Sequence, residues 1–486
     1  ALERCFSPRS ESKLRHLGSR PTFTKVGNMN EKKKTSRNEP GLNVVQPLVA
    51  GVDIGSEEHW AAGPPHPDGS MNVRRFKTTS AELKALVTWL EQQQIQSVAM
   101  ESTGVYWIPL YEMLEARGIK AVLVNARDFA HAPGRPKTDR LDCQWLQRLH
   151  GCGLVRGSFR PHESFIAVRS LQRVRANLVH LRTRYVQWMQ KALDQMNVQV
   201  HRAVSDLSGV TGMAIVRAIV GGERRPAVLA ELRDHRCKKS AEEIAEYLTG
   251  TWRDEHLFTL ASALRLYDTN DAEIAACDAE IARRLDGLQL EHLKTTPPPT
   301  HPNANKEKLL RKDGGVRDRL WRATGADITR IDGISSEAAQ VILAELGTDV
   351  SAFPDERHFV SWLRLCPPTK ISGGKSLKSR RNGLSANRVA GVLRMAALGA
   401  SRSKTAIGAF FRRVSRTKGY TVAIFATARK LAQLLFRTLH YGHAYVDIGE
   451  QVAEAQYEAR RVAAFQAEAK ARGFTLVPIP ERVATL

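Results

Sequence analysis

The stretch PLVAGVDIGSEEHWAAG, from Pro47 to Gly63, decides the fold. It reads as an apolar strand, a turn at Gly55 and a second strand, with Asp53 near the first strand's end. Downstream, MNVRRFKT is a candidate third strand. SAELKALVTWLEQQ has the helical apolar period, with Ser80 as its N-cap. QSVAMESTG is an apolar strand ending in Glu101, GVYWIPLYEMLEARG a helix stopped at Gly118, and IKAVLVNA another buried strand. KTDRLDCQWLQRLHG then supplies a helix carrying Asp139 and Asp142.

Strand, hairpin, helix, strand, helix, strand, helix is the order of a ribonuclease-H-like α/β fold. In that order Asp53 falls on the central strand and Glu101 at the end of the parallel strand beside it. The last helix lies over both. Asp139 and Asp142, three residues apart, share one helix face and repel each other unless a cation holds them. The plain alternative is a solvated face neutralised by Lys137, Arg140 and Arg148. Four carboxylates brought together favour the first reading, because Mg²⁺ is a hard cation that takes oxygen ligands. Two such ions about 4 Å apart polarise a phosphodiester and steady both oxygens of the displacement. Lys137 and Arg140 then face a nucleic-acid backbone.

Charge points the same way. Among 486 residues, 73 Lys and Arg face 50 Asp and Glu, a formal charge of +23. That excess predicts a polyanionic partner. From Arg357 to Val446 there is no Asp or Glu among 90 residues, against 18 Lys or Arg. Apolar periodicity persists in RVAGVLRMAALGA and AIFATARKLAQLLFRTLHYG, so this is a folded basic domain with a nucleic-acid surface. No apolar run approaches a membrane span. The six cysteines form no C-x-x-C pair, which excludes a zinc or disulfide framework. The chain reads as intracellular. Its first 45 or so residues are polar and basic and read as disordered, with a working start near Met29.

Within the basic domain, KISGGKS places Ser372 before Gly373 and Gly374, a pair that lets backbone approach phosphate closely. Lys375, Lys378, Arg380 and Arg381 follow as partners for phosphate oxygens, and Arg429 and Lys430 are further nucleic-acid contacts. Ser372 is a candidate nucleophile. The residues alone favour an ordinary basic loop on DNA, with Ser376 and Ser379 as rival serines. ITRIDGISSEAAQVILAELG fits a helix-hairpin-helix gripping phosphate through its turn amides, or a plain αα-hairpin in the core. Leu171, Val174, Leu178, Leu181, Tyr185, Trp188 and Ala192 form a heptad seam. A second runs through Leu257, Leu260, Leu264 and Tyr267 to Ile274, Ile281 and Leu285, interrupted by Asp271 and Asp278. The seams can pair within one chain or across protomers. Arg169, Arg173, Arg175, Arg182 and Arg184 line the first helix, as a nucleic-acid track or a solvated face. KTTPPPTHPNANKEK reads as an extended linker. EQVAEAQYEARRVAAFQAEAKARG is a polar helix.

GVDIG, MESTGVYWIPLYEMLEARGIKAVLVNAR, PGRPKTDRLDCQWLQRLHGCGLVRGSFRP, IDGISSEAAQVILAELG, ISGGK and ARKLAQLL together resemble the DEDD transposases of bacterial insertion sequences. The resemblance is to the IS110 family, leaning toward its IS1111-like subgroup, from about Val49 to the C-terminus. It implies a recombinase with Asp53, Glu101, Asp139 and Asp142 as Mg²⁺ ligands and Ser372 as the serine nucleophile. It also implies DNA as donor and target, an element-encoded guide (bridge) RNA, and a homodimer joined across the heptad region and assembling to a tetramer. Cytoplasmic, nucleoid-associated action in a bacterium follows. One departure is Pro136, which intervenes where the family runs directly into the acidic pair. The implied division is a disordered leader (1–45), a RuvC-like DEDD nuclease domain (46–160) and a helical coiled-coil region for dimerisation (161–290). A Pro-rich linker (291–320), a serine-bearing basic, mainly helical domain (321–446) and a C-terminal helix (447–486) complete it. Two other functions fit the residues: a Mg²⁺-dependent Holliday-junction or other structure-specific nuclease that needs no Ser372, and a non-catalytic nucleic-acid-binding protein.

Overall fold

A computed structural model describes residues 43–102, 104–125, 138–288, 296–366, 370–372, 375–377, 387–442 and 444–477. The chain divides into two units, Ala1–Ser158 and Phe159–Leu486. In the first, β1 (Val49–Ile54), β2 (Glu58–Ala62), β3 (Val73–Lys77), β4 (Ser97–Glu101) and β5 (Lys120–Val124) form one sheet in the order β3-β2-β1-β4-β5. The first three strands run as an antiparallel meander; β4 lies parallel to β1, and β5 parallel to β4. The Gly55 N–H donates to the Glu58 carbonyl at 3.1 Å and closes the turn between β1 and β2.

Side chains of a strand alternate between faces. Ala50, Val52 and Ile54 join a core with Leu83, Leu86 and Leu90 of α1 (Ser80–Gln92) and Leu110 and Leu114 of α2 (Trp107–Ala116). Gly51 and Asp53 point the other way, toward α3 (Asp139–Gly151), which packs across β1, β2 and β4. The cap of α1 is Thr79, one residue before the expected Ser80, and its side chain makes no capping bond. This mixed five-stranded sheet is compatible with the expected ribonuclease-H-like α/β domain, and helices dominate the rest of the chain.

The second unit begins with two long helices, α4 (Ile166–Gln195) and α5 (Asp254–Asp286), packed antiparallel on each other in the same chain. The Asn270 amide donates to the Leu178 carbonyl at 2.9 Å, and the Cys277 thiol to that of Leu171 at 3.3 Å. Asp271 and Asp278, which interrupt the apolar seam, pair with Arg182 and Arg175 across it. Arg169 and Arg173 both reach Glu345. Four of the five arginines read as a possible nucleic-acid track therefore answer protein carboxylates, and Arg184 alone keeps that role open. Between the long helices, short helices including Val210–Val220 and Ala241–Tyr247 close a separate core around Met189, Leu193, Ile215, Ile219 and Leu260.

The Pro-rich stretch expected as an extended linker is built into this unit from its middle onward. His301 is buried, Ala304–Leu310 is a helix, and the Pro299 carbonyl accepts from Arg317. The candidate phosphate-gripping hairpin is a core element. Gly333 has φ +84°, and any Cβ there would collide with the Ala396 carbonyl; Ile331 and Ile334 on either side are fully buried. Next come α6 (Ser336–Leu346), the hairpin β6 (Lys370–Ser372) and β7 (Lys375–Leu377), and then α7 (Arg388–Ala400), α8 (Ala406–Lys418), α9 (Tyr420–Tyr441) and α10 (Glu450–Ala471). Among the described residues no helix is long and apolar enough to cross a membrane.

Candidate active site

Gly51 determines how closely α3 can approach the sheet. A Cβ there would overlap the Gln147 amide nitrogen and the Cys143 carbonyl, so the helix backbone rests directly on β1. A larger residue would lift the helix off. Asp53 lies two residues further along the same strand face, beneath the first turn of α3. The pairing of Val52 with Met100 sets Glu101 one residue further along β4, beside Asp53. Ala99 packs toward Leu146 of α3, so Glu101, two residues later, faces the same side.

Thr138 caps α3, its hydroxyl oxygen accepting from the Leu141 N–H at 3.3 Å. Asp139 and Asp142 occupy the first helical turn, where the helix dipole favours negative charge. The four acids act on one another at Asp53. Burial pushes its carboxyl up from 3.8 to about 6, helped by the charges of Asp139, Glu101 and Asp142. Cys143, one turn after Asp139, is buried against this group; burial, with the Asp53 charge, pushes its thiol up to about 12. A thiol held neutral to that degree is packing, not a nucleophile.

The donor chemistry of the four acids, all oxygen, suits a hard divalent cation. The side chains are not closed into a ligating set, however. Among the described residues no three His, Cys, Asp or Glu groups stand together so as to hold a metal ion. The fold brings β1, β4 and the first turn of α3, which carry these four acids, next to one another. Asp139 is exposed, so packing does not fix its side chain.

In the second unit, Ser372 ends β6 and pairs with Lys375 at the start of β7, with Gly373 and Gly374 between them. Those glycines, together with Lys137, Pro136, Lys378, Ser379, Arg380 and Arg381, lie outside the described residues. Ser376 pairs with Ile371 inside the ladder, whereas Ser372 is the last paired residue of β6, at the turn end of the hairpin. Arg140 is exposed on α3. Arg429 and Lys430 line a cavity of about 510 Å³ along α9. Two features escaped the sequence reading. The seat made by Gly51 had a signal, a glycine inside an otherwise apolar strand. The grouping of Arg413 and Arg460 with Arg429 and Lys430 had none, because they come from three helices.

Two family models match the chain. A DEDD model of the IS110 type, described as a transposase, covers residues 50–198, and a model described as Transposase IS116/IS110/IS902 family covers residues 326–412. No curated protein matches. The first match contains all four acids and the second contains Ser372, so the chain is a DNA transposase/recombinase, an enzyme of DNA recombination in an insertion sequence. It belongs to the IS110 family of transposases.

Proposed function

We propose that this transposase cuts and rejoins DNA through two groups, the acids Asp53, Glu101, Asp139 and Asp142 on a RuvC-like domain and Ser372 on the basic domain. The acids hold Mg²⁺, which, when bound, polarises the scissile phosphate and offsets charge on the entering and leaving oxygens. Ser372 Oγ attacks phosphorus, a deoxyribose oxygen leaves, and a free hydroxyl later reverses the phosphoserine link. Gly373 and Gly374 admit the DNA backbone, and Lys375, Lys378, Arg380 and Arg381 bind its phosphate oxygens. Lys137 and Arg140 hold the strand beside the acids. Donor and target DNA are paired by an element-encoded guide RNA, in the bacterial cytoplasm on the nucleoid.

The observation that carries the reading is Asp53. Its carboxyl is pushed up first by burial and further by the charges of Asp139, Glu101 and Asp142, which supports a shared site. The working form is a homodimer that assembles to a tetramer and brings Ser372 of one subunit to the acids of another. Val174, Leu181 and Trp188, spaced seven apart on α4, remain 51%, 38% and 49% exposed after α4 has packed on α5, and support a further helix contact. The alternative, a nuclease using the acids alone, draws on the same pKa and has no use for Ser372.

Cleavage of element-junction DNA in Mg²⁺ tests the role of the acids. Asp139→Ala and Asp142→Ala, made separately, abolish cleavage while leaving DNA binding within about twofold, since neither acid attracts DNA. Cleavage at the wild-type rate by either variant would overturn the assignment.

A further inference from the structure

The polar C-terminal helix has no role in the proposed reaction, yet it borders a cluster of positive charge on α8 and α9. Tyr457 of α10 lies flat under Arg413 of α8, the guanidinium carbon 3.8 Å from the ring centroid. The same guanidinium carbon is 5.7 Å from the Phe410 ring, and Lys430 Nζ of α9 is 4.8 Å from it. Arg413 Nη1 is buried with no hydrogen-bond partner. Lys430 is held below the usual lysine range by burial and by the charges of Arg413 and Arg460, the latter from α10. Lys430 and Arg429 also line the cavity of about 510 Å³, with Gln433, Leu434 and Arg437.

Nearby acids do not neutralise the cluster. Glu356 is engaged by Arg437, Glu450 by Arg412 and Glu458 by Arg461. None of Arg413, Arg429, Lys430 and Arg460 forms an ion pair among the described residues. Cations of one sign crowded together, here half-buried except for the exposed Arg460, repel one another, and an anion that joins them offsets that repulsion. Their donors, a guanidinium fork and an ammonium, are those that recognise phosphate.

We propose that Arg413, Arg429 and Lys430, with Arg460 supplied by the C-terminal helix, form a binding pocket for a phosphate group, which α10 closes. In the working complex the phosphate is a backbone phosphodiester of nucleic acid, and this step rests on the proposed function. The pocket gives α10 a purpose: it fixes Arg413 by stacking and brings the fourth cation.

Binding of a short labelled DNA duplex of arbitrary sequence to the full chain, followed by anisotropy across salt concentrations, tests the pocket. The variants are Arg460→Gln, which is exposed, and Lys430→Gln/Arg460→Gln. Each lost contact lowers the slope of log affinity against log salt by about 0.9, so the double variant loses nearly two units and binds at least about tenfold more weakly at low salt. Calorimetric titration with inorganic phosphate runs in parallel. Duplex affinity unchanged, with a phosphate signal lost in the variants, supports the pocket and assigns it to a free phosphate compound. Unchanged duplex binding and no variant-sensitive phosphate signal would overturn it. Thermal melting of the variants within a few degrees of wild type separates this result from unfolding. DNA cleavage that survives Asp139→Ala would refute the proposed function and leave the pocket standing.

Discussion

Asp53→Asn should stabilise the metal-free protein at neutral pH, although it removes a proposed ligand. The folded-state carboxyl sits at about 6, against 3.8 for an unstrained aspartate. The folded chain therefore binds this proton more tightly than the unfolded chain does. Between those two values the folded state carries more protons, so stability falls as pH rises through the window and levels off above about pH 7. A shift of about two units corresponds to roughly 3 kcal/mol, and about 2 kcal/mol after allowance for the half-exposed setting. Asparagine keeps the shape and carries no charge, so it escapes the loss. Hydrogen exchange of a peptide spanning β1 in the full chain, with chelator, reads the effect. At about pH 7.5 the variant should exchange roughly 30-fold more slowly than wild type, and near pH 4 the two should nearly coincide. Saturating Mg²⁺ should narrow the gap by slowing exchange in wild type alone. A variant that exchanges as fast as wild type at about pH 7.5 would refute the claim that burial, with the charges of the other acids, destabilises the ionised Asp53.

Gly51→Ala pushes α3 off β1; it should cost about 2–4 kcal/mol in denaturant unfolding and abolish cleavage, while Ala50→Gly on the opposite face should retain the activity. Arg317 is buried between Asp327 and Glu307, at 2.6 and 2.9 Å. Arg317→Ala leaves those acids unpaired and should cost about 3–5 kcal/mol, read as a lower urea midpoint. Leu181→Asp/Trp188→Asp should reduce the mass seen by light scattering while leaving the helical circular dichroism unchanged. An assembly of unchanged mass would remove this stripe from the interface.

Much of the first unit was legible because its signals are local. The apolar alternation of Val49–Ile54, the turn at Gly55 and the acid at each key strand end suffice to order the sheet. Helix α3 was legible from Asp139 and Asp142 in one turn. Side-chain geometry was not, since spacing places a Cα and not a carboxylate. The arginines of α4 show the same limit. Their partners Glu345, Asp271 and Asp278 lie about ninety or more positions away in sequence, and nothing in a helical period reveals them. The small core between α4 and α5 is made of short helices, whose apolar runs are too brief to show a period. The hairpin around Gly333 fits a phosphate grip or a core element equally from sequence alone, because its close approach to α7 depends on Ala396, more than sixty residues away.

The most direct test of the whole account is covalent trapping. Full-length protein, Mg²⁺, candidate guide RNA and element-junction DNA are combined and resolved on a denaturing gel, beside Ser372→Ala and Asp139→Ala. The account predicts a protein–DNA adduct in wild type that is absent from both variants. Strand cleavage that persists in Ser372→Ala and disappears in Asp139→Ala would contradict it, leaving a metal-dependent nuclease in which the serine takes no part.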